Sequence, residues 1–125
     1  MRIPIAIVML CLPVAAMGEI YVCTTENSAF LSDSGANANN SSSGNGWVVD
    51  TNLGFRKLKV EGTTDYRGTD YRGKCQESEY RIVCDYEDGI TLENILLDLS
   101  EGSYTYSQHS MGGTLFSSFG TCTKL

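Results

Sequence analysis

Two cysteines near opposite ends of the mature chain constrain its fold more than any other feature. Cys122 lies three residues from Leu125, inside the strand-like run Thr114–Leu125. Cys23 sits just beyond an export signal at the other end. If they are bonded, the first and last strands must lie side by side, and everything between must fit a closed or nearly closed sheet.

The signal reads from Arg2, which supplies a basic start, through an apolar core from Ile5 to Ala16 interrupted only by Pro13. Ala16-Met17-Gly18 then places small residues at the −3 and −1 positions of a cleavage site. A segment of this length is a secretory signal and too short for a membrane span. Cys11 follows Leu10 rather than a small residue, so lipid attachment is not expected. The predicted organisation is a signal peptide over residues 1–18 and one disulfide-stapled β domain over 19–125, secreted or periplasmic after cleavage near Gly18. Losing Arg2 takes the net charge from −6 to −7. An acidic chain repels phosphate, so no nucleic-acid partner is expected and no membrane span.

Four cysteines remain after cleavage: Cys23, Cys75, Cys84 and Cys122. An even number in an exported chain reads as two disulfides. Of the three possible pairings, Cys23–Cys122 with Cys75–Cys84 is preferred. The second closes a short loop suited to neighbouring antiparallel strands. The first closes nearly the whole chain, where loop entropy gives the larger effect, about 4–5 kcal/mol. A zinc site would want a CxxC unit, and only His109 is available as an imidazole ligand, so neither metal nor cofactor is expected.

Between the cysteines the pattern is short strands and turns. Ile20–Thr25, Trp47–Asn52, Phe55–Val60, Glu79–Tyr86, Ile95–Leu99, Tyr104–Ser107 and the C-terminal run carry β-branched and aromatic residues. Ser28–Leu31 continues the first strand past a bulge or begins another. A short helix competes with a strand only over Thr91–Ser100. Ser32–Gly46 is almost entirely Ser, Asn, Gly and Ala and reads as a flexible loop. Thr64-Asp65-Tyr66-Arg67-Gly68 is repeated at once as Thr69-Asp70-Tyr71-Arg72-Gly73, a duplication within a second long connection. The expected fold is all-β: one antiparallel meander barrel or sandwich of about seven to eight strands, its termini linked by a disulfide.

Tyr21-x-Cys23, Ile82-x-Cys84 and the terminal Phe119-Gly120-Thr121-Cys122-Thr123-Lys124 resemble small uncharacterised exported proteins of proteobacteria. That resemblance implies a periplasmic, cysteine-closed β fold and no particular activity. Periplasmic inhibitors of c-type lysozyme are also small barrels with linked termini, but their Ser-Gly-x-x-Ala-Arg-Tyr-like loop has no counterpart here. Ser32-Asp33-Ser34-Gly35-Ala36-Asn37 lacks the Arg and Tyr.

Residues that could carry chemistry are few. His109 has Ser107 and Ser110 nearby, but no nucleophile motif such as Gly-x-Ser-x-Gly accompanies it. The acidic run from Asp85 to Glu93 fails a calcium-loop pattern, because Cys84 and Tyr86 fall on ligand positions, while Asp88-Gly89 is hairpin chemistry in its own right. Tyr66, Arg67, Tyr71 and Arg72 in the duplicated loop, with Trp47 beside the other loop, are the candidate partner-binding residues. Tyr, Trp and Arg bring area and directional donors at low entropic cost. The same loop also fits a plainer role, with its rings lying on the barrel and its arginines paired to Asp65 and Asp70. The expected function is a small secreted, non-catalytic binding or inhibitor-type module, monomeric, directed at a protein or envelope component. The alternatives are a small periplasmic hydrolase and a structural envelope or phage-borne protein.

Overall fold

The computed structural model describes residues 18–32, 35–39, 46–58 and 69–125. The predicted signal therefore lies outside the described residues except for Gly18. The described chain is all-β: β1 (Ile20–Ser32), β2 (Gly35–Asn39), β3 (Gly46–Asp50), β4 (Gly54–Lys57), β5 (Lys74–Glu77), β6 (Arg81–Glu87), β7 (Thr91–Asp98), β8 (Ser103–Ser110) and β9 (Thr114–Lys124). All pairings are antiparallel, in the order β4-β3-β1-β9-β8-β7-β6-β5, with β2 attached to the far half of β1. From β5 to β9 the sheet is a simple meander.

The two edges of that sheet meet. Phe55 N–H donates to Arg72 O at 2.9 Å, and Arg72 N–H donates to Phe55 O at 3.0 Å. This bridge brings eight strands into a nearly closed barrel, which decides between barrel and sandwich. Gly54, at φ +108°, permits the seam, since a Cβ there would lie 2.1 Å from Arg72 O.

Both expected disulfides are formed, and each joins residues directly opposite on neighbouring strands. Cys23–Cys122 locks β1 to β9, the strands that begin and end the barrel. β1 carries one extra residue between Thr25 and Asn27 relative to β9. Gly120 opposes that bulge, and a Cβ on it would come within 1.8 Å of Thr24 O.

Alternation decides the strands. On β7, Glu93, Ile95 and Leu97 are buried while Asn94, Leu96 and Asp98 are only half-buried, a period of two that excludes the helix. The turns are built by aspartates. Asp88 Oδ1 accepts from Ile90 and Thr91 N–H at 2.9 and 2.8 Å. Asp98 Oδ1 accepts from Ser100 and Glu101 N–H, and Asp50 Oδ1 from Asn52 and Leu53 N–H. Several acidic residues are thus hairpin fasteners.

Two expectations need correction. Part of the predicted Ser32–Gly46 loop is a strand, β2, because main-chain pairing with β1 asks nothing of its small side chains. The strand expected over Glu79–Tyr86 starts only at Arg81, which leaves Tyr80 62% exposed.

The barrel interior is a stack of cross-strand rungs. One runs Ser28, Ser118, Tyr106, Ile95, Cys84, Cys75, and the next runs Phe116, Gln108, Glu93, Tyr86, with Phe30 exposed in register beyond Phe116. Trp47, Val49 and Phe55 fill the side contributed by β3 and β4.

Candidate ligand pocket at one end of the barrel

Register brings a cation and an anion into this apolar stack. Glu93 is in phase with Ile95 and Leu97, so β7 carries its carboxylate inward. Arg72 follows the seam into the same space. Its Nε donates to Glu93 Oε2 at 2.7 Å and its Nη2 to Oε1 at 2.5 Å, with the two side chains 18% and 6% exposed. The guanidinium lies 5.1 Å from the Phe55 ring centre and 5.7 Å from those of Trp47 and Tyr86. Burial works against its charge, but the hydrogen bond and charge of Glu93 outweigh that, and the Arg72 pKa is raised.

Tyr106 closes the group. Its hydroxyl donates to Glu93 Oε1, and the Gln108 carboxamide lies 3.2 Å from the same phenol oxygen. Burial first, then Glu93, pushes its pKa upward. Trp47 stacks on Tyr106 with ring centres 4.1 Å apart, and Phe116 meets Tyr106 edge-on at 6.0 Å.

Beside this group is a cavity of about 260 Å³. Trp47, Tyr106 and Phe116 supply aromatic wall, Thr25 and Ser118 supply buried hydroxyls, and Lys57 stands exposed at its rim. The hydroxyls are already engaged: Thr25 Oγ1 is 2.5 Å from Tyr104 OH, and Ser118 Oγ is 3.5 Å from it. Among the described residues, no buried side-chain nitrogen or oxygen lacks a partner.

The opposite end carries a smaller polar cluster. Glu19 accepts from Tyr21 OH at 3.0 Å and from Lys124 Nζ at 3.2 Å. Burial and then Glu19 push the Tyr21 phenol up to about 12.

The predicted site residues separate sharply. Tyr66 and Arg67 lie outside the described residues. Tyr71 is half-buried, with the Arg56 guanidinium 5.2 Å from its ring centre. Arg72, a candidate partner-binding residue, is turned into the barrel, where it pairs with Glu93. Trp47 also points inward and is 4% exposed. His109 stands on the outer face, in register between Leu115 and Leu92. Thr25 and Ser118 belong to the inner face, so the imidazole is directed away from the buried hydroxyls. Among the described residues no cluster of three His, Cys, Asp or Glu side chains could hold a metal ion, and no helix is long and apolar enough to cross a membrane.

Sequence reasoning missed Glu93, Tyr106, Phe116 and Lys57. The available signal was a glutamate two residues before Ile95 on an alternating strand, a position that demands a buried partner.

Fold and site together define a disulfide-closed antiparallel β-barrel with an aromatic-walled pocket at one end. Comparisons with protein-family models, with curated proteins and with solved structures each found no match.

Proposed function

We propose that the chain is a small exported, non-catalytic binding module that takes its partner at the end of the barrel bearing Trp47 and Phe116. The observation that carries this reading is the pocket itself, set in a scaffold held rigid by two disulfides and an interior ion pair. Pockets at barrel mouths are where this architecture binds ligands. Both disulfides are compatible with a secreted or periplasmic setting. The resemblance to exported proteobacterial proteins agrees with that setting. Against the hydrolase alternative, the only histidine faces outward, away from the pocket hydroxyls.

The test is occlusion. Ser28 is half-buried at the pocket, and Ser28→Trp places a large ring in its opening. Mature protein and variant are each incubated with a periplasmic extract, and bound proteins and small molecules are identified by mass spectrometry. A partner held by the native protein and lost by an equally stable variant is the expected result. A partner retained by both would move recognition elsewhere on the barrel. Turnover of an extract component would return the hydrolase reading.

A further inference from the structure

The lining of the pocket is specific enough to name a ligand class, an inference that rests on the binding-module reading above. We infer that the pocket takes a small aromatic monocarboxylate, with its ring between Trp47 and Phe116 and its carboxylate at Lys57.

Size comes first. A cavity of about 150 Å³ lined by apolar side chains holds one benzene. The 260 Å³ here therefore accommodates a fused pair of rings, or one ring and a short substituent. Polarity comes next. A sugar of similar volume presents several hydroxyls, and each that leaves water needs a partner or costs about 1–3 kcal/mol. Thr25 and Ser118 lie against Tyr104 and Tyr106 is committed to Glu93, which leaves the Ser28 hydroxyl and the Gln108 carboxamide to serve a ligand's several hydroxyls. A ring of low polarity makes no such demand.

Charge settles the head group. Among the described residues, Lys57 is the only charged side chain lining the cavity, and it is exposed at the rim. The nearby anion Glu93 has Oε1 receiving Arg72 and Tyr106 and Oε2 receiving Arg72. It therefore offers little to a cationic ligand. A carboxylate at the mouth meets one cation, keeps part of its hydration, and is repelled by no acid among the described lining residues.

Trp47 is the chain's single tryptophan, so one indole N–H resonance reports the pocket. The probes are 2-naphthoate, its neutral counterpart 2-naphthalenemethanol, and glucose, each titrated into the mature protein and followed by nitrogen–proton correlation spectra. Naphthoate should shift the indole signal saturably, the alcohol should bind roughly tenfold more weakly, as expected for the loss of one charge-assisted contact, and glucose should do nothing. Lys57→Met should bring naphthoate down to the level of the alcohol and leave the alcohol unchanged. Ser28→Trp should abolish both. If the alcohol or glucose binds as well as naphthoate, or Lys57→Met has no effect, the ligand class is wrong while the module reading stands. If no probe binds although extract partners still depend on Ser28, this inference falls alone. If neither probe nor extract partner depends on Ser28, both fall.

Discussion

Arg72 grips both carboxylate oxygens of Glu93 across the barrel interior, from the very residue whose backbone closes the seam with Phe55. One residue thus joins the two edges of the sheet by its main chain and ties them to β7 by its side chain. Closure of the barrel and the shape of the pocket wall are consequently one property, because the same guanidinium lies against Trp47.

Breaking this pair from one side should be far worse than removing it. Glu93→Gln takes from the interior guanidinium the carboxylate that two of its nitrogens grip, and should lower stability by about 3–5 kcal/mol. Arg72→Met strands the carboxylate with a comparable loss. The double variant Arg72→Met with Glu93→Gln should recover much of that, because neither charge of the pair remains. Urea denaturation of the four proteins measures the coupling. Simple additivity in the double variant would show that the two residues do not act as a pair.

Much of the frame was legible in the sequence because its causes are local. Cys23 and Cys122 announce the junction of the first and last strands, the Ile82-x-Cys84 alternation announces β6, and Asp88-Gly89 announces a hairpin. What escaped depends on register across strands. Nothing near Arg72 says that it turns inward, since its partner Glu93 is twenty-one residues away and its aromatic neighbours Phe55, Trp47 and Tyr86 come from three other strands. β2 escaped for a different reason: edge pairing rests on backbone groups, and Gly35-Ala36-Asn37 carries no strand signature in its side chains.

Stability should fall in alkali. The Tyr21 phenol is pushed up to about 12 by burial and Glu19, and Tyr106 is also raised. An unfolded tyrosine ionises near pH ~10. The folded state therefore keeps these protons after the unfolded state has released them. Their contribution is whole below about pH 10 and is lost as pH rises through about 12 for Tyr21. Thermal melts from neutral to strongly alkaline pH should show this decline, and Tyr21→Phe should flatten it. Stability that rises through this range would contradict the shifts.

The disulfides should contribute unequally. Cys23–Cys122 spans 99 residues and Cys75–Cys84 only 9. Loop entropy assigns them about 4.7 and about 2.7 kcal/mol. Replacing each pair by alanine and comparing urea midpoints tests the order. Thiol titration of the denatured, unreduced mature protein should find no free thiol, and peptide mapping should recover only these two links.

The seam between β4 and β5 has little tolerance for a side chain at Gly54. Its φ of +108° is strained for any L residue, and an added Cβ would meet Arg72 O at 2.1 Å. Gly54→Ala should therefore cost about 2–4 kcal/mol, combining backbone strain with disruption of the Phe55–Arg72 bridge. Hydrogen exchange at the Phe55 and Arg72 amides should accelerate more than at Ile95 in the centre of the sheet. Uniform acceleration would mean that the seam does not open separately.

The duplication makes a sharper prediction about Arg72. Removing Thr69–Gly73 leaves Thr64-Asp65-Tyr66-Arg67-Gly68 directly before Lys74, so the residues entering β5 are the same in type and order as before. Arg67 then occupies the position Arg72 held, two residues before Lys74, and can supply the same bridge to Phe55 and the same grip on Glu93. The shortened connection lowers closure entropy slightly, by well under about 1 kcal/mol. The deletion should thus leave the urea midpoint nearly unchanged, although it removes a residue whose simple replacement is severe. Adding Arg67→Met to the deletion should reproduce the loss seen for Arg72→Met in the full chain. If the deletion by itself is as damaging as Arg72→Met, the two copies are not interchangeable, and the seat opposite Glu93 depends on loop length as well as on sequence.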